Sequence, residues 1–217
     1  MRLISLLIAV GATAVLMVVF VGVASAQEQG ATAQLKDPHG NSIGTAQFTQ
    51  NPAGGVNISL QAQGLEPGEH GIHIHEKGDC SSSDFKSAGE HLNPSSAKHG
   101  FDNPQGPHAG DLPNLIVNQD GSASYAATDE RVTLAEGEGA LLRSGGTSLV
   151  IHADPDDQMS DPSGNSGDRV ACGVIERSEA LPSSGGISVP LLRDTALIGL
   201  IGTAGAAMFL WRRALGR

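Results

Sequence analysis

The segment His70-Gly71-Ile72-His73-Ile74-His75-Glu76 constrains the fold more than any other stretch of the chain. A strand has a side-chain period of two, so an His-x-His pair places both imidazoles on one face. Two neighbouring imidazoles pack poorly as core, whereas imidazole is a good ligand for zinc, copper and iron. Six of the 8 histidines belong to one such pattern: His73 and His75, then His91, His99 and His108 with Asp111, and finally His152 with Asp156. Seven residues separate His91 from His99 and eight separate His99 from His108, spacings too wide for one helical face. Those ligands have to come from a long loop folded around a metal. The chain therefore reads as a metalloprotein with two ions.

The ends are of a different character. Residues from about Leu3 to Val23 are almost wholly apolar, with Arg2 before them and Ala24-Ser25-Ala26 after them. This pattern reads as a secretory signal over residues 1–26, with an uncleaved anchor as the alternative because the run is long. Residues 27–31 form a short N-terminal segment. At the other end, 195–211 is an uncharged apolar stretch followed by a basic tail, 212–217, as the positive-inside rule expects of a cytoplasmic end. The stretch is marginally short for a span of about 20 residues. The linker 179–194 contains Leu181-Pro182-Ser183-Ser184-Gly185, which resembles a sortase sorting signal with serine in place of the usual threonine. A plain membrane-anchored tail stands beside the sorting reading, and both place the domain outside the cytoplasm.

Between the ends lies one domain, 32–178, of ordinary size. The chain carries a net charge of -10 and has no basic stripe, which argues against nucleic acid as a partner. Aromatic residues make up only 3%, so the core rests on Val, Ile, Leu and Ala. Cys80 and Cys172 are the only cysteines, and in an exported protein a lone pair reads as a disulfide; metal ligation by thiolates is the weaker alternative. Closing a loop of about ninety residues stabilises by roughly 4–5 kcal/mol in the chain-entropy model.

Short, partly alternating runs separated by turn residues predict an all-β domain. They cover 34–36, 43–49, 56–63, 70–76, 114–118, 123–127, a short run at 132–134, 147–153 and 169–176. Residues 77–112 and 154–168 are long, polar and rich in Gly and Pro, with no periodicity. Stretches of that kind inside a compact domain are functional when they are not misassigned, and the first carries three histidines and an aspartate at ligand spacing.

The residues resemble the copper/zinc superoxide dismutase family over nearly all of 32–176. The resemblance rests on Gly71-Ile72-His73-Ile74-His75-Glu76-Lys77-Gly78-Asp79-Cys80, Ser87-Ala88-Gly89-Glu90-His91-Leu92-Asn93-Pro94, Lys98-His99-Gly100, His108-Ala109-Gly110-Asp111, Leu149-Val150-Ile151-His152-Ala153-Asp154 and Gly164-Asn165-Ser166-Gly167-Asp168-Arg169-Val170-Ala171-Cys172-Gly173. It implies an eight-stranded Greek-key β-barrel, of immunoglobulin-like sandwich topology, with two long metal and active-site loops. It implies a copper ion held by His73, His75, His91 and His152, and a zinc ion held by His91, His99, His108 and Asp111, with His91 as the bridge. Nitrogen-only ligation suits copper, and three imidazoles with one carboxylate make a closed zinc site.

By the same resemblance, Asp156 is the carboxylate linking a copper-ligand and a zinc-ligand histidine. Arg169 is the cation that draws and orients an anionic substrate. The implied reaction converts superoxide to dioxygen and hydrogen peroxide by Cu(II)/Cu(I) cycling, with His91 leaving copper and taking a proton on reduction. His70 reads as a hydrogen-bonded structural histidine facing away from the ligands, and His39 as a solvated turn residue. Glu90 departs from the family, where glycine or proline is more usual. A homodimer is the implied assembly, its surface unassigned. The alternative function is a non-catalytic, extracytoplasmic copper-binding module on the same fold.

Overall fold

A computed structural model describes residues 30–178. The expected signal, linker, apolar C-terminal segment and tail lie outside the described residues, among which no helix is long and apolar enough to cross a membrane. The strands are β1 Gly30–Lys36, β2 Ser42–Gln50, β3 Val56–Ala62, β4 Gly68–His70, β5 Ile72–His75, β6 Leu115–Val117, β7 Ala123–Asp129, β8 Ser148–His152 and β9 Arg169–Arg177. The expected domain start at Thr32 falls inside β1, where Gly30 and Ala31 already pair with Thr49 and Phe48.

All pairings are antiparallel, in the order β4-β6-β7-β3-β2-β1-β9-β8-β5. The two outermost strands, β4 and β5, are separated in sequence by Gly71 alone, so the sheet curls into a nearly closed barrel. Taken as one interrupted strand, β4–β5 gives the expected count of eight. The break is local: Gly71 donates its N–H to the Asp154 carbonyl and accepts from His152 N–H, stepping out of the ladder. The Greek key appears where β3 is followed by β4 across the sheet, and β6 and β7 return to β3. One expected element is absent: 132–134 forms no strand, only an isolated bridge between Thr133 and Ala140.

Alternation fills the barrel. β3 is buried at every second position, and Leu35, Phe48, Ile58, Leu60, Ile72, Ile74, Leu149 and Ile151 are fully enclosed. β5 and β8 differ because both of their faces are buried. Ile72 and Ile74 point into the core, while His73 and His75 lie on the outer face, which a loop covers. That loop is stitched to the free edge of β5: Ile74 N–H donates to Gly110 O, Leu92 N–H to Ile74 O, and Gly110 N–H to Leu92 O. A Cβ on Gly110 would collide with the Ile74 carbonyl, so only glycine permits this approach. The loop is fastened a second time by the Cys80–Cys172 disulfide, with Cα atoms 5.8 Å apart, and by packing of Phe85 and Ala88 on Val150.

Candidate metal centre

The loop stitching has a direct chemical consequence. Isolated bridges pair His73 with Asp111 and His75 with His91, carrying two loop side chains to the face that already bears the strand histidines. His152, at the end of β8, completes a group in which one nitrogen each of His73, His75, His91 and His152 lies within 4.8 Å of the others. His91, His99, His108 and Asp111 make a second group on the same criterion. Every member of both groups is buried.

In the first group the hydrogen bonds dictate which nitrogen is free. His73 Nε2 donates to Asp156 Oδ2 at 2.7 Å, His75 Nδ1 to Gly89 O at 3.0 Å, and His152 Nδ1 to Gly167 O at 3.3 Å. A carbonyl or carboxylate oxygen accepts only, so each of these nitrogens carries the proton and the other keeps its lone pair. The remaining atoms, His73 Nδ1, His75 Nε2 and His152 Nε2, are joined by His91 Nε2 as buried nitrogens with no partner. Four unpaired lone-pair donors in one pocket are costly unless a ligand occupies it. Burial pushes all four imidazoles down, His91 to about 3 and His152 to about 2, which keeps them neutral and ready to ligate.

The second group sits behind His91. Its Nδ1 lies 2.8 Å from Asp111 Oδ1 and 3.4 Å from His108 Nδ1. His99 Nδ1 and His108 Nδ1 lie 3.0 and 3.3 Å from the same Oδ1. A tetrahedral zinc ion with bonds of about 2.05 Å has donor–donor edges of about 3.3 Å, so this spacing fits such an ion. Asp111 Oδ2 is held by the N–H groups of Gly100 at 2.9 Å and His108 at 2.8 Å, leaving Oδ1 to face inward. Burial opposes the charge on Asp111, but three histidines and the Gly100 amide outweigh it and hold the carboxyl far below its usual range. For His99, burial lowers the pKa, yet the carboxylates of Asp111 and Asp156 on its two nitrogens raise it to about 9. The two buried carboxylates thus require a cation in this group, which a divalent metal supplies.

Asp156 joins the groups, with Oδ2 on His73 Nε2 and Oδ1 3.0 Å from His99 Nε2. The groups that hold it carry no pattern along the sequence. Asn114 brackets its backbone, Oδ1 accepting from Asp156 N–H and Nδ2 donating to Asp156 O, both at 2.9 Å. Gln158 N–H donates to Asp156 Oδ1 at 2.7 Å. Gly164, at φ +64°, packs so closely on this carboxylate that a Cβ would strike Asp156 Oδ1. Asn114 stands in the sequence only as the first residue of an expected strand, and Gly164 as one glycine of a Gly-bearing loop, which does not say what either touches.

Arg169 begins β9 as the strand partner of His152. Its Nη1 donates to Phe85 O at 2.8 Å and its Nη2 to Gly89 O at 2.7 Å, so the disulfide-bearing loop aims a half-buried guanidinium beside the first group. Burial lowers the Arg169 pKa, and the carboxylates of the exposed Glu90 and Asp84 oppose this only in part. His70 is buried away from both groups, its nitrogens 2.7 Å from His152 O and 2.8 Å from Glu66 O. His39 is exposed in the β1–β2 turn.

A family model described as copper/zinc superoxide dismutase matches residues 42–175. The chain is 48% identical over 151 residues to "Superoxide dismutase [Cu-Zn] 2" of Aquifex aeolicus, covering 69% of this chain and 88% of that one. It is 45% identical over 149 residues to "Superoxide dismutase [Cu-Zn]" of Caulobacter vibrioides, covering 67% and 85%. The crystal structure of a SOD-like protein from Bacillus subtilis superposes with TM-score 0.64 at 39% identity, covering 66% of this chain and 96% of that one.

Proposed function

Because the chain belongs to the copper/zinc superoxide dismutase family, we propose that it converts superoxide to dioxygen and hydrogen peroxide. His73, His75, His91 and His152 hold copper; His91, His99, His108 and Asp111 hold zinc. The observation that carries this assignment is the set of four buried imidazole nitrogens without partners, one of them on a ring whose other nitrogen faces Asp111. Bound copper supplies the one-electron chemistry that oxidises one superoxide anion and reduces a second.

The chain's own residues do the rest. Asp156 and the carbonyls of Gly89 and Gly167 fix the tautomers, so that the free lone pairs all face the pocket. Two loop carbonyls fix the Arg169 guanidinium, leaving its charge to draw the anion in and orient it. His91 Nε2, when not ligating, is a place to hold a proton inside the pocket, since the far side of the same ring stays against Asp111. The covering loops keep bulk water from the buried imidazoles.

A copper-binding module without turnover would lack a ligand or the arginine, and here the full set stands together. We place the activity outside the cytoplasm, tethered to the membrane or the wall. The apolar run ending at Ala24-Ser25-Ala26, the Cys80–Cys172 disulfide and the Leu181-Pro182-Ser183-Ser184-Gly185 segment support that location. The test is Arg169→Gln in the copper- and zinc-loaded full chain. Turnover per copper should fall at least about tenfold at low ionic strength and lose most of its salt dependence. Unchanged, equally salt-sensitive turnover at equal copper content would refute the assigned role.

A further inference from the structure

Asp161 is a third acidic residue near the second group, contributed by the loop after β8 rather than by the loop that supplies the group itself. Its Oδ1 accepts the backbone N–H of His99 at 3.0 Å and lies 3.9 Å from His108 Nε2. Its Oδ2 takes the Lys98 ammonium at 2.8 Å. The outer nitrogens of the three histidines differ in their surroundings, and that of His108 stands 3.9 Å from Asp161, beyond hydrogen-bond distance but within reach of its charge. His91 Nε2 belongs to the first group, His99 Nε2 faces Asp156, and His108 Nε2 faces Asp161 within ion-pair range.

The position of Asp161 is built rather than incidental. Asp157 Oδ1 accepts the N–H groups of Met159 at 2.9 Å and Ser160 at 2.8 Å, and Gly164 N–H returns to Ser160 O at 2.6 Å. This cinched turn presents Asp161 to the opposite loop. The two loops are tied again where Asp102 N–H donates to Gln158 O and Asn103 Nδ2 to Met159 O.

We propose that Asp161 is a positioning residue for zinc, orienting His99 through a hydrogen bond to its backbone and acting on the His108 ring by its charge, and so slowing zinc release. The inference rests on the zinc reading of His91, His99, His108 and Asp111. A ligating imidazole binds more strongly when its other nitrogen faces an anionic acceptor, and loss of such an acceptor costs about 10- to 100-fold in metal affinity. Asp161 is 37% exposed at the side chain and shares its charge with Lys98, which places it at the lower end of that range.

The experiment follows zinc release from the metal-stripped, zinc-reloaded full chain to an excess of a chromogenic chelator, with Co(II) in place of zinc as the spectroscopic probe. Asp161→Ala should speed zinc release about tenfold and shift the Co(II) d–d bands. Asp161→Asn retains an acceptor for the His99 amide but no charge toward His108, and should give a smaller acceleration, about threefold. Wild-type release and an unchanged Co(II) spectrum in Asp161→Ala would overturn the proposal, whatever the thermal stability of that variant. Should the unaltered chain itself bind no zinc at His91, His99, His108 and Asp111, the metal assignment fails instead, and the two failures are distinct. If Asp161→Ala does not fold, the same release and spectral readouts on Asp161→Asn decide.

Discussion

Replacing Asp156 by Asn should weaken one metal site far more than the other. The Asp156 side chain is fully buried and is contacted through both oxygens. Oδ1 serves two donors, His99 Nε2 at 3.0 Å and Gln158 N–H at 2.7 Å, whereas Oδ2 serves only His73 Nε2 at 2.7 Å. An asparagine keeps its oxygen where two donors converge, which turns its NH2 toward His73. Donor then faces donor. The ring escapes by moving its proton to Nδ1, the unpartnered atom that faces the four-nitrogen pocket, and loses the lone pair that copper needs. If it does not, a buried donor stays unsatisfied at about 1–3 kcal/mol. Either way copper affinity should drop about 10- to 100-fold, while zinc affinity changes by only a few-fold because His99 keeps its acceptor. Competition titration with a copper chelator of known affinity, on the zinc-loaded full chain, measures the first; chelator release of zinc measures the second. Copper affinity within twofold of the unaltered protein, or a larger loss of zinc than of copper, would refute the tautomer argument.

Gly164→Ala places a methyl group against Asp156 Oδ1 and 2.7 Å from His99 Nε2 at φ +64°, and should cost more than about 2 kcal/mol in chemical denaturation. Gly54→Ala, also at positive φ (+111°) but with open space around it, should cost about 1 kcal/mol, and equal losses would contradict the packing account. Burial raises the Asp129 carboxyl to about 6, against the pull of Arg131. A pKa raised in the fold means that the contribution to stability is present below about pH 4 and is lost as pH rises through about 6. Asp129→Asn should therefore gain up to about 3 kcal/mol on the unaltered apo chain between those limits, and a pH-independent difference would dismiss the buried charge. Removing the disulfide by Cys80→Ser should lower stability by about 2–5 kcal/mol. It should also reduce turnover per copper, because the freed loop carries the Phe85 and Gly89 carbonyls that hold Arg169.

The ligand-bearing part of the site was legible because its chemistry and its period coincide. His73-x-His75 is a strand signature and a ligand signature at once, and β5 is that strand. The Gly-rich stretch after it had no periodicity of its own, and the structure shows why: it borrows order from β5 through Ile74, Leu92 and Gly110. The supporting groups were not legible. Asn114 grips Asp156 from 42 residues away, and Asp161 reaches His99 from 62 away, through neutral amides and carboxylates that carry no pattern along the chain. Arg131, which follows β7, donates to the Asp111 carbonyl at 2.8 Å and lies 4.9 Å from the centre of the Phe101 ring, fastening the ligand loop to the barrel. The break at Gly71 was equally hidden, since a single glycine in the run does not show that its N–H leaves the register for the Asp154 carbonyl.

In the proposed function, four histidines form one redox site per chain. Copper should be titrated into the zinc-loaded full chain while superoxide consumption is followed. Activity should rise linearly with copper, stop at one copper per chain, and disappear when copper alone is withdrawn by a chelator. A chain that binds its full equivalent of copper in the four-histidine pocket and consumes no superoxide would contradict it.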